Sequence, residues 1–209
     1  MGMQKILSMN KMETGLGIFF LVLLWSVINP KDYLTWILET APALIAVIVL
    51  IITRRQFPLT SLAYILILIH SIILIIGAHY TYAEVPLFNW LKEAFNLERN
   101  NYDKIGHFAQ GFVPAIIARE IIIRKQILRN INWLNFFIIC ICLAISAFYE
   151  LIEWCVALVS EQAAQAFLGT QGYIWDTQSD MAFALFGAIA ALVTLSQLHN
   201  RQISQLKSG

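Results

Sequence analysis

Charge is what this sequence has little of. Lys, Arg, Asp and Glu make up 13% of 209 residues, against 59% hydrophobic residues and a mean hydropathy of +0.69. A water-soluble domain carries about a quarter charged residues, so the natural solvent for this chain is a bilayer. With a formal net charge of +1 and no long run of Lys or Arg, the chain has no arm for phosphates, which excludes nucleic acid as a partner. Cysteine is sparse: Cys140, Cys142 and Cys155 fall in one apolar segment, where thiols are expected as small buried hydrophobes, not as disulfides or metal ligands. No small-residue cleavage site follows Ile28, and Asn29-Pro30-Lys31-Asp32 reads as an interhelical turn, so the first apolar run is expected to stay as a helix. Internal repeats are lacking too, and with them the inverted-repeat signature of many secondary transporters.

What is present is a series of apolar runs, at 15–29, 34–52, 59–82, 105–123, 133–160 and 180–198. Most approach the roughly 20 residues that cross a hydrocarbon core. Their breaks fall at Asn29-Pro30, at Arg54-Arg55-Gln56-Phe57-Pro58 and at Arg129-Asn130, where polar or proline-containing turns belong. The expected fold is therefore all-α: a polytopic membrane bundle of six transmembrane helices in a single integral membrane domain, residues 1–209. Within the longest loop, residues 83–104, the stretch Phe88 to Phe95 has apolar residues at helical spacing and is expected to lie along the interface or pack as a loop helix.

Basic residues near a span resist translocation. An amino terminus in the cytoplasm places Lys5, Lys11, Arg54, Arg55, Arg119, Arg124, Lys125, Arg129, Arg201 and Lys207 inside, against Lys31, Lys92, Arg99 and Lys104 outside. That asymmetry predicts both termini inside. It leaves only Glu13 and Glu120 among the acids on the cytoplasmic side.

Asp32, Glu39, Glu84, Glu93, Glu98 and Glu161 then lie at or toward the outer face, and the remaining acids converge there on one level. Asp103 and His107 stand four residues apart at the start of the fourth span, hence on one helical face. Glu150 and Glu153 lie three apart in the fifth span, far from a helix terminus, and Asp176 and Asp180 introduce the sixth. His79 closes the third span at the same depth, whereas His70 lies mid-membrane on the opposite face, where an interhelical hydrogen bond is expected. Ionisable groups at a membrane boundary need a partner, a cation or water. Carboxylates mixed with imidazole suit Zn²⁺, Mn²⁺ or Fe²⁺, although no His-Glu-x-x-His motif is present. The bland alternatives are helix capping by Asp103 or Asp176 and an ion pair made by Lys104.

The segments His79-Tyr80-Thr81-Tyr82, Asp103-Lys104-Ile105-Gly106-His107-Phe108, Phe148 to Trp154 and Trp175 to Met181 resemble, in that order, the YjdF-like family of bacterial inner-membrane proteins. The resemblance runs from about His79 to Leu192. Asp103, Lys104, His107, Glu150, Asp180 and Gly187 are also similar to the pattern of VanZ-like membrane proteins, from which Ala184 departs where Asn is usual and Glu153 where Gln is usual. These resemblances imply a shared helical scaffold in the bacterial inner membrane and supply no reaction.

The function expected from these residues is a metal-dependent enzyme acting at the outer leaflet on a membrane lipid or a lipid-linked envelope precursor. A divalent metal ion would be held by His79, Asp103, His107, Glu150 and Asp180, with Glu153 or Asp176 as general base on a bound water. The alternatives are a cation- or proton-coupled carrier using the same acids, and a lipid-binding scaffold in which the cluster only locks helices together.

Overall fold

Backbone amides in hydrocarbon have no water to bond, so a spanning chain must close its hydrogen bonds within helices or a sealed barrel. The computed structural model, which describes residues 3–159 and 170–207 and the side chains of residues 13–159 and 170–206, takes the helical solution, with no strand among the described residues. The helices are α1 (Met3–Ser26), α2 (Tyr33–Thr53), α3 (Ser61–Tyr80), α4 (Pro86–Ala94), α5 (Tyr102–Lys125), α6 (Leu134–Val159) and α7 (Asp176–Lys207), with a 3₁₀ turn at Ile131–Trp133 before α6.

Local chemistry sets the ends. The Asp32 carboxylate accepts from the Thr35 amide at 2.7 Å to start α2, and Thr60 caps α3 through the Ala63 amide at 3.3 Å. Pro86 opens α4 where its missing N–H costs nothing. Thr81 ends α3 in the left-handed region at φ 58°. The last helix starts at Asp176 and runs on to Lys207, longer at both ends than its apolar run.

Four stretches are long and apolar enough to cross a membrane: Tyr33–Thr53, Ser61–Tyr80, Ile131–Val159 and Asp176–Leu206. The apolar part of α1, Glu13–Ser26, is shorter. α5 carries Asp103, Lys104, Arg119 and Glu120, all buried, so composition alone would not mark it as a span. It survives in the bundle because its polar residues face other helices. α5 and α7 form the most extensive helix pair, α6 packs on both, α3 packs on α5, and α1 and α2 lean on α3.

The α5–α7 crossing is close because it has almost no side chains in it. A Cβ at Gly111 would sit 1.7 Å from the Ala184 carbonyl oxygen, and one at Gly187 would sit 2.1 Å from that of Phe108. Ala184, Ala188 and Ala191 complete this seam of small residues, all fully buried. Of the three thiols only Cys142 is buried, with Sγ 3.5 Å from the Gly111 carbonyl; Cys140 and Cys155 are exposed on the outer surface of α6, which corrects the expectation of burial for those two.

Candidate functional site

The first turn of α5 and the first turn of α7 meet at one end of the bundle. Loop residues hold them there: the Asn100 amide donates to Gln171 Oε1 and Gln171 Nε2 donates to the Asn100 carbonyl, both at 2.9 Å. Asn100, buried, also donates to Asn89 at 2.8 Å and to the Val85 carbonyl at 3.1 Å, which fixes α4 against the same loop. Beside it, Arg99 reaches Asp176 at 2.5 Å and Asp103 at 3.5 Å.

Lys104 stands among three carboxylates, at 2.5 Å from Asp180, 2.7 Å from Asp176 and 3.4 Å from Asp103. His107 Nε2 lies 3.3 Å from Asp103 and 3.7 Å from Asp180, and its Nδ1 meets Gln110 at 3.2 Å. Asp103, His107 and Asp180 are buried, and each offers one ligand atom within 4.8 Å of the others, close enough to share a cation. Glu150 approaches from α6, with Oε1 3.8 Å from His107 Nδ1. That oxygen is buried and has no hydrogen-bond partner among the described residues.

The other expected members are placed differently. Asp176 joins the cluster, but its Oδ1 takes contacts from both Arg99 and Lys104, so it serves as an ion-pair acceptor and is a poor proton acceptor. Glu153 turns from the ion pairs into the neighbouring cavity. His79 reaches the expected depth at the end of α3 but faces α1: its Nδ1 pairs with the Ser26 carbonyl at 2.9 Å and its ring lies against Trp25, 4.6 Å between centroids. The structure thus sets His79 apart from Asp103, His107 and Asp180. Nearby, outside the spans, Lys31 and Glu84 pair at 2.7 Å, a hydrogen bond that with the carboxylate's charge raises the lysine pKa.

Next to the cluster, α2, α3, α5 and α6 line a cavity of about 240 Å³ that Asp103, His107, Gln110 and Glu153 reach from the acid end. Glu39 of α2 lines it too and accepts a 2.8 Å hydrogen bond from the Tyr149 hydroxyl of α6. Sequence reasoning noted Glu39 as an acid near this face and passed it over as a site residue; an acid one and a half turns inside an apolar span was the signal. Deeper, His70 lines the cavity with a buried Nε2 that has no partner among the described residues, in place of the interhelical hydrogen bond expected for it.

A second polar network, missed in the sequence, closes the opposite end. Fully buried Glu120 accepts from the Thr60 amide (2.9 Å) and hydroxyl (2.8 Å), and from Arg124 at 2.7 Å. His199 lies between Glu120 Oε2 (3.1 Å from Nε2) and Arg119 (3.2 Å from Nδ1). Arginine can only donate, so Nδ1 is the acceptor and Nε2 carries the proton that bonds Glu120. Every charged member has a partner, and the arrangement reads as a lock joining α3, α5 and α7.

Comparison with known proteins agrees with a membrane bundle. A family model described as "Predicted membrane protein (DUF2238)" matches residues 13–201, from α1 into the last turns of α7. The chain is 50% identical over 183 residues to "Inner membrane protein YjdF" of Escherichia coli (strain K12), with 88% of each chain covered. No solved structure matches. Four helices long and apolar enough to span, an acid cluster shielded by helix packing and a family match over most of the length converge: this chain belongs to the DUF2238 family of membrane proteins and is a multi-pass protein of the inner membrane.

Proposed function

We propose that this protein is a cation-dependent enzyme that acts on a membrane lipid or lipid-linked envelope precursor at the outer leaflet. The observation that carries the reading is the convergence of Asp103, His107 and Asp180 within 4.8 Å, buried and bordering a cavity, with the unpartnered Glu150 oxygen turned toward His107. Two carboxylates and an imidazole suit a divalent metal with positions left for water or substrate. A cation held by Asp103, His107 and Asp180 would supply Lewis-acid polarisation of an ester or phosphoester, and Glu153, free of the ion pairs, would take the proton from the attacking water and return it to the departing alkoxide. The orientation follows from the charges, because the acid end and the Arg119, Arg124 end lie at opposite ends of α5.

Lys104 favours a second reading. An ammonium at 2.5 to 3.4 Å from three aspartates neutralises part of the cluster without any metal, as a purely structural lock would require. Metal analysis separates the two. Purified wild type is expected to carry a stoichiometric divalent metal that is lost in His107→Ala and Asp180→Ala. Wild type with no more metal than the two variants would defeat the enzyme and leave the lock.

A further inference from the structure

Beyond the acid end, the cavity does not stop at mid-membrane. Ala46, Ile67 and Ile117 line both the 240 Å³ cavity and a second one of about 430 Å³ that continues toward the other face between α2 and α5, past Val49, Leu50 and Ile121 to Lys125. The two form one cleft. It exists because α2 packs on α3 and makes no extensive contact with α5 or α6, so α3 is the floor and the α2–α5 gap is open sideways. Pro42 of α2 and Pro114 of α5 both line the upper part; each removes a helical hydrogen bond and favours a bend where the two walls part. The Tyr149–Glu39 hydrogen bond spans the cleft at the acid end, from α6 to α2.

Polar groups stand at the two mouths of the cleft, Asp103, Glu153 and Glu39 at one and Thr53, Gln56 and Lys125 at the other, and the stretch between them past Ala46, Val49, Leu50, Ile117 and Ile121 is apolar. Water has few partners along that apolar stretch, and the surrounding solvent there is hydrocarbon. Its length is informative. At 1.5 Å per residue, α5 from Asp103 to Ile121 covers roughly 27 Å, close to the roughly 30 Å of a whole hydrocarbon core and nearly twice one leaflet. A phospholipid presents two chains, both confined to one leaflet. One narrow cleft that crosses the midplane suits one long chain.

We infer that the α2–α5 cleft seats the single, longer-than-leaflet hydrocarbon chain of a polyisoprenoid-type lipid, whose polar head lies at the acid cluster. The inference rests on the acid end being the site where that lipid is handled, and it narrows the substrate to single-chain lipid carriers.

The test is photolabelling of the full chain in phosphatidylglycerol nanodiscs, with a long-chain polyprenol carrying a diazirine at its far end and with geraniol carrying the same group. The long probe is expected to label residues around Val49 and Ile121, and geraniol is not. Ala46→Trp and Ile117→Trp, which fill the waist, should reduce that labelling about tenfold or more, since displacing two methylenes already costs that factor. Val193→Trp, on an exposed face of α7, should leave it unchanged. Labelling spread evenly over the lipid-facing surface, or undiminished in waist variants that keep wild-type elution and thermal midpoint, would overturn the inference. If both waist variants misfold, competition on wild type decides: excess unlabelled polyprenol must displace the probe and excess dipalmitoyl phosphatidylglycerol must not, and equal displacement overturns the cleft. Metal content in the same samples keeps the two proposals apart. Selective labelling without metal removes the enzyme and keeps the cleft; metal with unselective labelling does the reverse.

Discussion

Lys104 decides more about the acid end than any single carboxylate does. Three aspartates at one level of a low-dielectric bundle repel one another, and among the described residues Arg99, Lys104 and, when protonated, His107 stand against them within 4 Å. Removing one partner from a buried ionic group typically costs about 3–5 kcal/mol, because the remaining charges keep their desolvation penalty and lose their compensation. Lys104→Met is near-isosteric along its stem, so the expected loss is electrostatic and of about that size, read as a lower unfolding midpoint in detergent. A divalent metal bound by Asp103, His107 and Asp180 should recover part of the loss as its concentration rises, since it binds only the folded state. An unchanged midpoint in Lys104→Met would mean that these contacts contribute nothing and would sink the account of the cluster as charge-balanced by Lys104.

At the scale of the helix, the acid end depends on how closely α5 and α7 approach, and that depends on Gly111 and Gly187. With the Ala184 carbonyl 1.7 Å from a Cβ at Gly111, Gly111→Ala must push two backbones apart. Overpacking of this kind costs about 1–3 kcal/mol, and the shift also moves Asp180, one turn from Ala184, away from Lys104. Gly17→Ala is the control: its Cβ meets nothing within 4 Å, so better helix propensity should leave the protein unharmed. Equal midpoints for the two variants would refute the close seam. Much at this scale was legible in advance. Apolar run length placed α2, α3 and α6 to within a few residues, and the i, i+4 spacing put Asp103 and His107 on one face. Rotation of a span about its own axis was not legible, because neighbours set it: His79 has the right depth and turns to Ser26 on α1, while Glu39 finds Tyr149 on a helix more than a hundred residues away.

For the molecule as a whole, the two ends are chemically opposite. One holds Asp103, Asp176, Asp180, Glu150 and Glu153; the other holds the Glu120–His199–Arg119 lock with Arg124 and Lys125 beside Phe57. Between them, Leu59, Ala63, Tyr64, Ile67 and Val113 pack as an apolar layer. The lock escaped sequence reasoning because Glu120 and His199 lie 79 residues apart, and nothing in either local pattern reveals the other. The charge asymmetry, by contrast, was plain in the sequence, and the excess of Lys and Arg near the termini and the α2–α3 and α5–α6 turns predicts the direction of insertion. Asn96 follows α4 at the acid end and Gln126 follows α5 at the basic end, and both are exposed. With the native cysteines replaced, a cysteine at Asn96 is expected to react with a membrane-impermeant maleimide in intact spheroplasts, and one at Gln126 only after lysis. The reverse pattern would carry the acid cluster to the cytoplasmic face, where an outer-leaflet lipid could not reach it, and the proposed substrate would fall even if Asp103, His107 and Asp180 still bound a metal.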